Sequence, residues 1–250
     1  MALADLARRA NRAVPALANR WFDRRHGVRT RGIVQLADLG VAGANRVWHD
    51  PSDTLLLRRA LRRLGVGPSD VFLDLGAGKG RALLVAAREP FARFLGVEIS
   101  PELVAVARAN VAAVPAARGR VELVCGDAAA YAIPDDVSVA YLFCPFTGPV
   151  FAAVVANLLA SYDRRPRPLH VLYLYPFEHD HLIATRRIAP VAVTERPWVV
   201  RRETGDLVVT YRVGPPSSYD PARPAPGLGA WGGAHGPGLR LDGEFERASA

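Results

Sequence analysis

The residues best placed to do chemistry lie in one run, Val71-Phe72-Leu73-Asp74-Leu75-Gly76-Ala77-Gly78-Lys79-Gly80. An aspartate sits at the end of a short apolar stretch, and three glycines follow at alternate positions. Glycine admits positive φ and lets the backbone approach a ligand with no Cβ in the way. The spacing is G-x-G-x-G, whereas the dinucleotide fingerprint is G-x-G-x-x-G, and no G-x-x-x-x-G-K-[S/T] makes Lys79 a phosphate-loop lysine. A carboxylate two residues before the glycines repels a pyrophosphate and attracts a ligand that carries a sulfonium and an ammonium. The plain structural alternative for Asp74 is a helix cap or turn brace.

Two further acidic positions accompany it. Glu98 ends the next apolar run, 18 residues after Gly80, and its carboxylate can accept two hydrogen bonds from a ribose diol. Alone it is equally compatible with NAD. Gly126-Asp127-Ala128 ends the third run, where Asp127 can accept from an adenine amino group. Singly, each acid reads as a solvated loop charge. Together with the glycine turn, at successive strand ends, they point to S-adenosylmethionine.

These residues need elements to hold them. Apolar runs at Val71–Leu75, Phe94–Ile99, Val121–Val124, Val137–Phe143 and Leu169–Tyr175 alternate with helical stretches at 81–88, 101–113, 149–161 and 178–187. Strands that are apolar throughout and separated by helices imply a parallel sheet covered on both faces. Val191–Val200 and Leu207–Val213 follow with no helix between them and read as a closing antiparallel pair. The expected fold is therefore α/β: a Rossmann-like, seven-stranded, mostly parallel sheet with helices on both faces and a C-terminal antiparallel hairpin. Ser100-Pro101 is a helix start. Asp50-Pro51 reads as the start of an earlier helix that runs through Leu57, Leu61 and Leu64 and stops near Gly65.

The runs DLGAGKGRALLVAA, FLGVEISPELVAVARAN and VELVCGDA resemble class I S-adenosylmethionine-dependent methyltransferases, over about residues 50–213. They are similar in particular to bacterial members compared with the Dot1 type of protein-lysine methyltransferases. The resemblance implies that Asp74, Gly76 and Gly78 surround the methionine part of the cofactor, that Glu98 holds the ribose and that Asp127 lies near adenine. Ala77, Gly80 and Ala128 complete this expected site.

Methyl transfer is an in-line displacement at a carbon already activated by the sulfonium, so alignment and exclusion of water suffice and no catalytic residue is obligatory. None is assigned. The fourth strand ends Tyr141-Leu-Phe-Cys-Pro-Phe146, and Cys144, Pro145 and Phe146 are expected to form the substrate pocket. Amino-directed members of this family often carry Asn or Asp before the proline. Cys144 is a much weaker acceptor, a departure that puts amine methylation in doubt. Cys144 and Cys125 both read as core residues. His49 reads as a loop residue that could act as a base. His179 and His181, at i and i+2, do not face together on a helix and read as a surface helix start. Tyr173 and Tyr175 either line the pocket or pack. No Cys/His spacing suggests a metal.

The net charge of +8 is unevenly placed: residues 1–31 hold eight arginines against Asp5 and Asp23. Leu3, Leu6, Ala10, Val14, Leu17 and Trp21 recur at helical spacing. One reading is a helix that packs this stripe on the domain, and the other is an arm for an acidic partner. Residues 1–49 are thus expected to be a basic helical arm and 50–213 the cofactor-binding domain. Residues 214–250, with eight glycines and six prolines, read as a disordered tail. Without an apolar run long enough to cross a membrane, a secretory signal or a disulfide framework, the cytoplasm is the expected compartment. The methyl acceptor is unknown. Aminopropyl transfer and NAD-dependent redox chemistry fit the loop less well. A non-catalytic module that retains the cofactor fold, its arm docked on nucleic acid or a protein, is the alternative function.

Overall fold

The computed structural model describes residues 17–32, 52–143, 146–195 and 207–220. Residues 17–26 are helical (α1). There follow α2 (Thr54–Leu64), β1 (Val71–Leu75), α3 (Arg81–Ala86), β2 (Arg93–Glu98), α4 (Pro101–Ala113), β3 (Val121–Cys125) and β4 (Val139–Phe143). The described chain continues with α5 (Gly148–Arg164), β5 (His170–Leu174), α6 (His179–Ala184), β6 (Ile188–Glu195) and β7 (Leu207–Val213).

The seven strands form one sheet in the order β3-β2-β1-β4-β5-β7-β6. β1 to β5 pair in parallel, while β7 runs antiparallel to both β5 and β6. The expected fold class and closing hairpin are therefore present. β7 has the expected bounds, but β6 begins at Ile188, three residues before the expected Val191. The ladder is irregular between Pro190 and Ala192, where proline has no N–H to donate.

Side chains alternate across each central strand into two cores. Val71, Leu73, Leu75, Ala140, Leu142, Val171 and Tyr173 pack on the face covered by α5. Phe72, Phe94, Tyr141 and Leu172 pack on the face covered by α1, α2 and α3. β3 departs from the expectation of a strand covered on both faces. It ends the sheet, so Glu122 and Cys125 are exposed and the rest of it is only half-buried. Cys125 is accordingly not a core residue; Cys144 lies outside the described residues.

Local chemistry explains the helix ends. Ser100 caps α4 by accepting from the Leu103 N–H, with Pro101 in the first turn. The cap of α2 is Asp53, whose carboxylate accepts from the N–H groups of Leu55 and Leu56, rather than the expected Asp50. Asp50 and Pro51 lie outside the described residues. Gly65 ends α2 in the left-handed conformation, as expected.

The N-terminal segment docks by a different face from the one its apolar stripe suggests. Leu17 and Trp21 are 63% and 62% exposed, whereas Phe22, Asp23, Val28 and Thr30 are buried. The remaining stripe residues, Leu3, Leu6, Ala10 and Val14, lie outside the described residues. Residues 214–220 are ordered: the Gly214 N–H donates to the Arg187 carbonyl and that of Tyr219 to the Arg186 carbonyl. The part of the expected tail that is described therefore belongs to the folded body.

Candidate functional site

β1 lies between β2 and β4, so connections leave it in opposite directions and a crevice opens beyond the carboxyl ends of the strands. Asp74 is in register with Gly96 of β2 and Tyr141 of β4. The chain then turns over the end of β2, where the N–H groups of Gly76 and Ala77 both donate to the Val97 carbonyl at 2.9 Å. Gly76, Gly78 and Gly80 all have positive φ, at 85°, 54° and 83°, a region costly for other residues. Glycine at 96 serves a separate need. A Cβ there would come within 2.7 Å of Leu83, 2.8 Å of Leu123 and 3.2 Å of the Ala77 Cβ. Only a bare backbone lets α3 and the loop lie this close to β2.

The loop and the second acid are joined directly. The Gly78 N–H donates to Glu98 Oε2 at 2.8 Å, and the Ser100 N–H donates to Oε1 at 3.0 Å. Each carboxylate oxygen keeps a further lone pair. Asp74 is 3% exposed, and among the described residues none donates a hydrogen bond to its carboxyl. Burial, and after it the charge of Glu98, pushes the Asp74 carboxyl up to about 8. Burial raises Glu98 as well, opposed by the N–H groups of Ser100, Gly78 and Ile99. A buried acid without donors beside a second acid is a poor structural brace and fits a ligand that brings its own positive charge.

The third loop adjoins this pair, since the Gly126 N–H donates to the Glu98 carbonyl at 2.9 Å. The half-buried Asp127 accepts from the Ala129 N–H at 3.0 Å, and Ala128 is buried behind it. The structure thus brings Asp74, the glycine turn, Glu98 and the Asp127 turn to one end of the sheet.

The expected pocket residues fare differently. Phe146 is buried, its ring 6.3 Å from that of Phe151; Cys144 and Pro145 lie outside the described residues, as does His49. Tyr173 is fully buried against Phe151. Tyr175 is half-buried at φ +51°, with its ring 5.7 Å from that of Phe143. His179 opens α6, as expected of a helix start, and is half-buried: its Nδ1 lies 2.8 Å from the Tyr211 hydroxyl, and burial lowers its pKa. His181 is exposed and meets the edge of Phe151.

A group of residues absent from the sequence reading ties the N-terminal segment to the glycine turn. Arg81, the first residue of α3, is 1% exposed. Its guanidinium donates to Thr30 Oγ1, to Asn19 Oδ1 and to Asp23 Oδ1. Lys79, inside the turn, donates to the carbonyls of Arg31 at 2.7 Å and Gly32 at 3.3 Å. Asn110 of α4 accepts from the Arg29 N–H and donates to the Lys79 carbonyl. The one sequence signal was an arginine opening the otherwise apolar Arg81–Ala86.

Among the described residues no group of three or more His, Cys, Asp and Glu side chains could hold a metal. Nor is any described helix long and apolar enough to cross a membrane.

Residues 72–164 match a family model described as "Methyltransferase domain". The comparison with curated proteins finds no match. Among solved structures, the glycopeptide N-methyltransferase MtfA complexed with sinefungin is 16% identical, covering 72% of this chain and 95% of that one, with a TM-score of 0.55. Its complex with S-adenosylmethionine is 14% identical, covering 66% and 95%, with a TM-score of 0.53. An RNA methyltransferase from Salinibacter ruber, in complex with S-adenosyl-L-homocysteine, is 24% identical over 68% and 99%, with a TM-score of 0.47. The MtfA structures share this chain's fold.

Proposed function

We propose that the chain, whose residues 72–164 match a methyltransferase domain, is a class I, S-adenosylmethionine-dependent methyltransferase, and that the crevice at the carboxyl ends of β1, β2 and β3 holds the cofactor. The observation that carries this assignment is the Asp74 carboxyl: buried, without a hydrogen-bond donor among the described residues, and raised to about 8 beside Glu98. Asp74 supplies negative charge to the cationic end of the ligand. Gly76, Ala77, Gly78 and Gly80 leave an open backbone around that end. Glu98 offers its remaining lone pairs to a ribose diol, and Asp127 and Ala128 border the adenine. When bound, S-adenosylmethionine supplies a methyl group activated by its sulfonium.

The acceptor is assigned to the ends of β4 and β5, where Cys144, Pro145 and Phe146 follow β4 and the Phe143 and Tyr175 rings face one another. These residues orient an N, O or C atom toward the methyl group and exclude water, which is the larger part of what such a displacement needs. The N-terminal arginines serve an acidic partner. Calorimetric titration with S-adenosylmethionine, S-adenosylhomocysteine and NAD tests the cofactor assignment. Saturable binding of both adenosyl ligands, absent in Asp74→Ala and with no response to NAD, is the expected result. Unchanged affinity in a folded Asp74→Ala protein would place the cofactor elsewhere. Binding with no turnover on any acceptor class would favour a non-catalytic module.

A further inference from the structure

An arginine-lined cleft lies on the N-terminal segment, formed by residues other than those assigned to the cofactor. Its volume is about 460 Å³, and it is lined by Arg20, Asp23, Arg24 and Val28 with the exposed Arg29 and Arg31. Arg20 and Arg24, four residues apart on α1, project from one helix face. Arg29 and Arg31 stand two apart in the segment that follows, so the four arginines that line the cleft come from two elements.

Asp23 pairs with only one of them, Arg31. It is buried and already engaged: its carboxylate meets the Arg81 guanidinium at 3.2 Å and that of Arg31 at 3.4 Å. It also accepts from the Thr30 hydroxyl at 2.6 Å. Arg20, Arg24 and Arg29 have no acidic partner among the described residues. On the same exposed side, Trp21 and Leu17 offer a large apolar surface at 62% and 63% exposure.

Guanidinium forks match phosphate oxygens, and the exposed Trp21 ring, next to Arg20 on α1, gives a base a face on which to stack. We propose that this cleft binds the phosphodiester backbone of a single-stranded nucleic acid, with Trp21 stacking on a base. Arginines contributed by two elements, rather than by one helix face alone, favour a polyanion strand over a bilayer. Lys79 and Asn110 fix the segment to the glycine turn, so the bound strand runs beside the crevice.

Fluorescence anisotropy of labelled single-stranded RNA and DNA 12-mers of one sequence, titrated with the full chain over a salt series, tests this. Three to four phosphate contacts predict a slope of log affinity against log salt of about −2 to −3. Arg24→Ala/Arg29→Ala should weaken binding by about tenfold or more and flatten that slope by about 1 to 2. Trp21→Ala should weaken binding by about fivefold or more at unchanged slope. Neither variant should alter the far-UV spectrum or the affinity for S-adenosylmethionine, so loss of oligonucleotide binding is separable from failure of the cofactor assignment. Equal affinity for the two strands assigns the contact to phosphate and base faces alone; a preference for RNA or DNA identifies the natural strand. Oligonucleotide affinity indifferent to these substitutions would overturn the proposal. So would equal affinity for polyglutamate, or tighter binding to phosphatidylserine vesicles than to either strand.

Discussion

Asp23 Oδ1 lies 3.2 Å from a guanidinium nitrogen of Arg81, 58 residues further along the chain, and both side chains are buried. The pair joins the N-terminal segment to the first turn of α3, directly after the glycine loop. Removing one partner of such a pair leaves an uncompensated buried charge, which typically costs about 3–5 kcal/mol. Asp23→Ala should therefore lower stability by that order in urea unfolding. Asp23→Leu/Arg81→Met, which removes both charges, should recover most of the loss. Equal destabilisation by the single and double variants would mean that the contact matters for packing alone.

Asp74 yields a prediction about protons. Its carboxyl is raised to about 8 by burial and by Glu98, so at pH 7 it is largely protonated in the free protein. A cationic ligand favours the ionised form, and binding should release a proton. Calorimetry of S-adenosylmethionine binding at pH 7, in buffers of different ionisation heat, should give buffer-dependent enthalpies that become flat in Asp74→Asn. The stability corollary has a definite sign. A carboxyl raised in the folded state contributes stability that is complete below its unfolded pKa of about 4 and lost as pH rises through about 8. Without ligand, Asp74→Asn should therefore gain in melting temperature relative to the parent on going from pH 4 to pH 9. A constant difference across that range would contradict the shift.

Gly96 marks where the loop depends on the sheet beneath it. A methyl group at this position meets Leu83 and Leu123 at under 3 Å and the Ala77 Cβ at 3.2 Å. The leucine ends can swing aside, but Ala77 belongs to the glycine turn. Overpacking of this kind costs about 1–3 kcal/mol. Gly96→Ala should lose that much stability and also bind S-adenosylmethionine more weakly, as seen by chemical denaturation and calorimetry. Lost stability with intact affinity would show that the leucines absorb the strain and the turn does not move.

The features legible in the sequence share one property: their cause is local. Ser100-Pro101 starts a helix wherever it occurs, Gly65 stops one, and the apolar alternation of β7 needs only its own seven residues. Asp74, Glu98 and Asp127 could be placed at strand ends because each follows an apolar run. What escaped depends on partners distant in the chain. Cys125 is apolar enough for a core, but β3 is the sheet's last strand, which only the strand order reveals. Leu17 and Trp21 formed the better apolar stripe, yet the segment turns inward with Phe22 and Asp23 because the buried Arg81 needs a counter-charge. Asp50 and Asp53 were equivalent caps by type, and only Asp53 is seen to accept the N–H groups of α2.

The C-terminal residues offer a further test of the same distinction. Composition alone assigns everything after Val213 to a tail, yet Gly214 and Arg187 bond reciprocally, N–H to carbonyl at 2.8 Å and guanidinium to carbonyl at 3.1 Å. The Tyr219 N–H adds a bond to the Arg186 carbonyl at 3.1 Å. These contacts hold the end of β7 against the start of β6, the edge strand. At about 1 kcal/mol for each hydrogen bond, a chain ending at Val213 should be about 1–3 kcal/mol less stable than one ending at Asp220. Urea midpoints of the two truncated proteins, measured against the full chain, decide the matter. Equal midpoints would mean that residues 214–220 add nothing, and the folded body would then end with β7.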